Sequence, residues 1–306
     1  MNATAAADPR HAEPGVPLAG DDTLGVVGMG VMGCTILKGL LAAGAIPPAR
    51  VWGTSRSEET CREVAAELGV PVAPDIRDRL ASAAVLVLCV KPAQAPAALA
   101  TLAAAGTLRP DALIVSIAAG VGSTELAAML GPPAPGHAGN PIVRAMPNTP
   151  CVVGVGMTAV CRGPRATAAH VDLARRIFAC VGATVETEEK HFDAITALSG
   201  SGPAYHYLIM EAMADAGVRV GLPRDLALAL VSQTTLGAAR MVQTSGRHPA
   251  ALRDDVTTPA GCTIGGLLML EDGKIRSVLA RAIEEATRIA SKLGPAGPAK
   301  PAGDPH

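Results

Sequence analysis

The stretch Leu24-Gly25-Val26-Val27-Gly28-Met29-Gly30-Val31-Met32-Gly33 decides how this chain is read. A short apolar run leads straight into a G-x-G-x-x-G pattern, and a helical stretch, Ile36 to Ala43, leaves from it. A strand that turns sharply into a helix needs glycine in three places: at Gly28 for the turn, at Gly30 so that a pyrophosphate can approach the backbone, and at Gly33 so that helix can lie on strand. The helix start then offers unpaired N–H groups to phosphate. A glycine-rich turn that binds nothing is the alternative. In a chain with 33 glycines the bare pattern is weak, and the strand-turn-helix context is what supports it.

The same alternation continues downstream: Val51 to Thr54 then Glu58 to Leu68, Val85 to Val90 then Pro96 to Ala105, Leu113 to Ile117 then a helix opening at Ser123. Such runs predict βα units in a parallel sheet. Ser57 is placed to cap a helix whose first turn holds Glu58 and Glu59, and Gly69 stands just past its end. After Glu186 strand-like runs stop, and Pro203 to Gly217, Arg224 to Gln243 and Ile275 to Leu293 read as helices. The expected plan is an α/β Rossmann-type dinucleotide-binding domain over 23–186 followed by an all-α dimerisation domain over 187–294. A disordered extension, 1–22, and a proline-rich disordered tail, 295–306, flank them. The late helices are apolar on more than one face, as in Leu226-Ala227-Leu228-Ala229-Leu230-Val231. One small domain cannot hide three such helices, so a second subunit is expected to cover them.

Composition excludes other classes. A net charge of -1 and aromatics at 2% leave no basic field for a polyanion and little on which bases could stack, so no nucleic-acid partner is expected. The seven cysteines are scattered and never form a CxxC pair, which reads as reduced thiols in a cytoplasmic compartment and no metal site. The longest apolar stretch, Ala83 to Val90, falls far short of the roughly 20 residues a membrane helix needs. The partner to look for is a small molecule.

The second strand ends Val51-Trp52-Gly53-Thr54-Ser55-Arg56, without the acidic residue that grips both ribose hydroxyls of NAD. The hydroxyl of Ser55 and the guanidinium of Arg56 suit a 2′-phosphate, so NADPH is expected, with NADH open. The alternative is that Arg56 is a solvated loop charge and either cofactor is accepted. Cys89-Val90-Lys91-Pro92 and Ser116-Ile117-Ala118-Ala119-Gly120 close buried strands, and their tips should emerge beside the nicotinamide.

Together with Met146-Pro147-Asn148-Thr149-Pro150, Leu198-Ser199-Gly200-Ser201-Gly202-Pro203-Ala204-Tyr205 and Val256-Thr257-Thr258-Pro259-Ala260-Gly261-Cys262-Thr263-Ile264, these motifs resemble pyrroline-5-carboxylate reductases from about Leu24 to Leu293. The resemblance implies reduction of the C=N bond of 1-pyrroline-5-carboxylate to L-proline by hydride transfer from NAD(P)H, the last step of proline biosynthesis. It also implies Gly28, Met29, Gly30, Val31, Met32 and Gly33 on the pyrophosphate, Ser55 and Arg56 near the adenosine ribose, and Cys89, Val90, Lys91, Pro92, Ile117, Ala118 and Ala119 around the nicotinamide. The substrate carboxylate falls to backbone N–H groups of Gly261, Cys262 and Thr263, the ring nitrogen to the catalytic Thr263 hydroxyl, and Glu189 to the substrate. The implied assembly is a homodimer with shared active sites, with a decamer of dimers as the larger form. Two positions depart from the common pattern. Ala260 stands where glycine is usual and is expected to be tolerated; Asp75 replaces an asparagine near the adenine, sits poorly with a 2′-phosphate, and is given no role.

Reducing a C=N bond needs a hydride donor about 3 to 3.5 Å from the carbon, an anchor for the carboxylate and a hydrogen bond at nitrogen, but no strong base. A hydroxyacid reductase would need a general acid or base. His191 and His248 are candidates for that acid but read as structural or surface residues, and no Gly-x-x-x-Lys motif marks the second domain. A nucleotide sensor, the remaining rival, has no use for a carboxylate cradle. Lys91 reads either as a solvated charge or as a cation near phosphate, and Thr263 either as a substrate contact or as a helix cap.

Overall fold

Gly25 on strand β1 (Thr23–Val27) lies so close to Trp52 on β2 (Val51–Thr54) that a Cβ there would collide with the indole. Trp52 is buried, and its Nε1–H donates to Thr23 Oγ1 at 3.0 Å. The computed structural model describes residues 13, 15–75, 77–133 and 136–294. From this first pair grows a sheet that, among the described residues, has eight strands and also includes β3 (Val72–Ala73), β4 (Ala83–Leu88), β5 (Leu113–Ser116), β6 (Ile142–Met146), β7 (Gly156–Arg162) and β8 (Gly182–Glu186). The spatial order is β3-β2-β1-β4-β5-β6-β7-β8.

Helices α1 (Val31–Ala42), α2 (Glu58–Leu68), α3 (Ala95–Ala104), α4 (Ser123–Met129) and α5 (Ala168–Ala179) supply the apolar layers that cover it. Ile36, Leu37 and Leu40 of α1 join Ile177 and Phe178 of α5 in one core cluster; Leu99 and Leu102 of α3 join Trp52, Leu86 and Leu126 in another. The helix punctuation is as read: Ser57 Oγ accepts the Thr60 N–H at 3.3 Å, and Gly69 ends α2 at φ 65°. All neighbouring strands are parallel except β6 and β7, so the expected parallel sheet is in fact mixed. The segment 147–155 between those two strands holds one 3₁₀ turn, Thr149–Val153, whereas a parallel return needs a dozen or more residues.

The expected extension over 1–22 is corrected for its described part. Val16 is buried in the core and donates its N–H to Ala45 O at 3.1 Å, and Arg176 Nε donates to Gly15 O at 3.1 Å. Asp22 pairs with Arg109. The expectation for residues 1–12 and 14, and for the tail 295–306, lies outside the described residues.

Contacts divide the chain into two units, one running to Gly200 and taking up again from Ala286, the other Ser201–Glu285. The strands stop at Glu186, but the chain beyond stays with the sheet through α6 (Phe192–Ile195) and a π-helical turn, Thr196–Gly200, because Phe192 and Ala197 are buried there. The second unit contains α7 (Gly202–Arg219), α8 (Arg224–Ser245), α9 (Pro249–Asp255), α10 (Cys262–Asp272) and most of α11 (Ile275–Ala290). Gly217 lets α7 approach α8, since a Cβ there would stand 3.1 Å from Ala227 Cβ. Among its described residues the fully buried apolar side chains are Ala214 and Ala227, while Leu208 is 65% exposed, Leu236 59% and Met269 69%. A single copy therefore leaves these helices largely unburied, as their sequence predicts. No helix among the described residues is long and apolar enough to cross a membrane.

Candidate active site

The parallel register aligns Val27 with Thr54 and with Leu88, and Leu88 with Ser116, so four strand tips share one edge. Backbone bonds pin the loops that leave it. Cys89 N–H donates to Val27 O at 2.8 Å, Gly28 and Met29 N–H to Thr54 O at 3.0 and 2.9 Å, and Ile117 N–H to Leu88 O at 3.1 Å. The strand order reverses between β1 and β4, which is where open α/β sheets form a ligand crevice.

The three glycines of the first turn do different things. Gly28 has φ +104°, and a Cβ there would lie 2.8 Å from Cys89 O; a Cβ on Gly33 would collide with Gly28 O. Around Gly30 nothing lies within 4 Å of the place a Cβ would take, and this residue opens α1 without any side-chain cap. The first-turn N–H groups therefore face open space that a side chain would otherwise fill, which is a cradle suited to a phosphate.

A cavity of about 710 Å³ opens from this turn. It brings together Gly28, Met29, Gly30, Ser55, Arg56, Cys89, Val90 and Lys91 from the expected set, and adds Thr60, Asp75 and Arg77. Other members of that set lie outside its lining. Val31 is exposed at the first position of α1, Met32 is half-buried against the core, Pro92 opens a 3₁₀ turn, and Ile117 to Ala119 follow β5, with the Ala118 N–H donating to Ser116 Oγ at 3.3 Å. Sequence reasoning had passed over Arg77 and left Asp75 without a role. The two-residue strand β3 that carries them to the cavity is too short to show a period.

Glu189 is engaged within the first unit. Its Oε1 accepts the Ser123 N–H at 2.6 Å and Arg144 Nη1 at 2.8 Å, and its Oε2 accepts the Ser123 hydroxyl at 2.5 Å. Arg144 is buried, with its guanidinium 4.6 Å from the centre of the Phe192 ring. Burial pushes the Glu189 carboxyl up, but the Ser123 and Arg144 hydrogen bonds outweigh it and hold the group below its ordinary range. Glu189 thus caps α4, the helix that follows the loop Ile117 to Ala119. Its two carboxylate oxygens accept from Ser123 and Arg144, and a third of its side chain stays exposed.

In the second unit, Gly261 is the cap residue of α10, so Cys262 and Thr263 are its first two helical residues. Gly261's own N–H donates to Thr258 O at 3.1 Å, and a Cβ on Gly261 would collide with Thr258 Oγ1. That N–H is occupied by the turn, whereas those of Cys262 and Thr263 have no intrahelical partner and point out of the helix start. The capping alternative for Thr263 fails, because Thr263 stands inside the helix and no side chain caps it. Ala260 adopts φ 58°, a left-handed conformation that glycine takes without cost.

His191 Nδ1 lies 3.0 Å from Thr187 Oγ1, and His248 Nδ1 accepts the Ala250 N–H at the start of α9. Both are structural, as read. The cysteines are free thiols, and burial pushes Cys161 and Cys180 up to about 11, which keeps them neutral.

Comparison with known proteins gives a consistent result. Residues 189–293 match the family model described as pyrroline-5-carboxylate reductase dimerisation, and residues 23–120 the model described as NADP oxidoreductase, coenzyme F420-dependent. The chain is 40% identical to the pyrroline-5-carboxylate reductase of Glycine max over 271 residues, 89% of this chain and 96% of that protein. Identity to the Synechocystis enzyme of that name is also 40%, covering 89% and 98% of the two chains. The pyrroline-5-carboxylate reductase structure from Coxiella burnetii superposes with TM-score 0.81 at 34% identity, covering 90% of this chain and 99% of that one. The Plasmodium falciparum pyrroline carboxylate reductase with NADP bound gives 0.76 at 30% identity, covering 89% and 98%.

Proposed function

The chain belongs to the pyrroline-5-carboxylate reductase family, and on that premise we propose how its residues divide the work. It reduces the C=N bond of 1-pyrroline-5-carboxylate to L-proline by hydride transfer from NAD(P)H, the last step of proline biosynthesis. The observation that carries the residue assignment is the glycine turn at the sheet's switch point, with Gly30 open above the start of α1 and Arg56 in the same cavity. Gly28 to Gly33 hold the pyrophosphate on first-turn N–H groups, Ser55 and Arg56 take the adenosine 2′-phosphate and favour NADPH over NADH, and the loops at Cys89 to Pro92 and Ile117 to Ala119 bracket the nicotinamide. The dinucleotide supplies the hydride.

The substrate carboxylate binds the N–H groups of Cys262 and Thr263 at the start of α10, where the helix dipole favours an anion. The Thr263 hydroxyl meets the ring nitrogen. A neutral hydroxyl is enough, because the imine can bind already protonated, so the chain needs no histidine base. Glu189 acts by fixing the start of α4.

The chain forms homo-oligomers through its dimerisation domain. The reading extends to a two-fold dimer in which the Val256 to Ile264 loop of one subunit completes the site of the other, to a decamer of such dimers, and to action in the cytoplasm, where free thiols persist. The test is NADPH oxidation measured with pyrroline-5-carboxylate, with a hydroxyacid and with neither. Turnover with the hydroxyacid instead of the imine would overturn the assignment of Thr263.

A further inference from the structure

Asp75 and Arg77, which also line the cavity, have no part in this division of work. β3 pairs parallel with β2, Gly53 opposite Val72 and Thr54 opposite Ala73, so Ser55-Arg56 and Pro74-Asp75 leave adjacent strands at the same edge. Neighbouring strands lie about 4.8 Å apart, within reach of one phosphate group. Arg56, Asp75 and Arg77 all line the cavity.

Arg77 is held over Asp75. Its Nε lies 3.0 Å from each carboxylate oxygen, its backbone N–H donates to Asp75 Oδ1 at 3.1 Å, and Nη2 completes the ion pair. The Thr107 hydroxyl, from a distant part of the chain, donates to Arg77 O at 3.0 Å and anchors the backbone. The guanidinium is thus placed at the cavity wall by two independent ties.

We propose that Arg77 is a specificity-determining residue for the dinucleotide: a second guanidinium beside Arg56 that faces the adenosine 2′-phosphate, with Asp75 as the counter-ion that orients it. A guanidinium carries five N–H donors in a planar fork, so it can keep its hold on Asp75 and still donate to a phosphate. The charges then alternate as carboxylate, guanidinium, phosphate, which lets an acidic residue stand next to a phosphate site. Without Arg77 the Asp75 carboxylate, no longer bridged by it, repels the phosphate. NADH carries a hydroxyl there and gains nothing from a second cation. The inference rests on the 2′-phosphate lying at Ser55-Arg56.

The test compares full-length Arg77→Ala, Arg77→Gln, Asp75→Asn and Arg56→Ala with the parent protein, reading kcat and KM for NADPH and for NADH at saturating pyrroline-5-carboxylate. Arg77→Ala and Arg77→Gln are expected to raise the NADPH KM about tenfold, the size of one charge-assisted contact, and to leave kcat and the NADH KM within about twofold. Asp75→Asn, which removes the carboxylate that orients Arg77, should raise the NADPH KM by less than the Arg77 variants do and leave the NADH KM within about twofold. Equal changes for both cofactors, a fall in kcat alone, or no change in either Arg77 variant overturns the proposal. If Arg56→Ala separates the cofactors and the Arg77 variants do not, only the role of Arg77 fails. If neither residue separates them, the 2′-phosphate reading itself fails.

Discussion

Glu189→Ala is the substitution whose cost the structure specifies most fully. It removes the acceptor for the Ser123 N–H, the Ser123 hydroxyl and Arg144 Nη1 at once. Arg144 would be left as a buried guanidinium, its side chain 8% exposed, without that carboxylate. Breaking a fully buried pair from one side costs about 3–5 kcal/mol. Glu189 is itself 33% exposed, so water can enter the vacated space, and the expected loss falls to about 2–3 kcal/mol. Glu189→Gln keeps an acceptor but loses the charge and should cost about 1–2 kcal/mol. Urea unfolding at pH 7 and fixed protomer concentration measures both, and a cycle with Arg144→Met should give a coupling of about 1.5–3 kcal/mol. Because the folded-state carboxyl sits below its ordinary value, this stabilisation is present above the unfolded-state pKa of about 4.3 and is lost as pH falls through the folded value. The gap between parent and Glu189→Gln should therefore close in acid. A Glu189→Ala protein within about 0.5 kcal/mol of the parent, with a raised substrate KM, would refute the clamp and restore the direct substrate contact implied by resemblance.

Three further outcomes are expected. Thr263→Ala should lower kcat with pyrroline-5-carboxylate by roughly ten- to a hundredfold, and Thr263→Ser should recover most of it; full activity in the alanine variant would remove Thr263 from the chemistry. Ala260→Gly relieves a left-handed alanine worth about 1–2 kcal/mol, offset by about 0.5–1 kcal/mol of added freedom in the unfolded chain, so it should stabilise by up to about 1.5 kcal/mol in urea unfolding, and a loss of stability would contradict the φ of 58°. Mixing a Thr263→Ala chain with one crippled at Gly28 to Gly33 should restore about a quarter of parent activity, since half the dimers are mixed and each has one good site; no recovery with mixed dimers present would place the whole site in one chain.

What was legible in the residues was local. The strand, glycine turn and helix at Leu24 to Ala43, the caps of α2 at Ser57 and Gly69, and the long helices after Gly202 each depend on neighbours within a few positions, where pattern and capping chemistry decide. The excess apolar surface of α8 was legible too, since hydrophobicity on all faces needs no coordinates to be counted. Tertiary structure decided the rest, because contacts between distant residues depend on strand order and register, which no local period encodes. Glu189 reaches Ser123 across 66 residues and Arg144 across 45, and only the packing of β6, α4 and the turn after β8 brings its carboxylate onto the start of that helix. The antiparallel turn from β6 to β7, the docking of Val16 under Ala45, and the two-residue strand that delivers Asp75 and Arg77 to the cavity have the same origin. In each case the residues carry little preference of their own, and the sheet's hydrogen-bonded register sets where they fall.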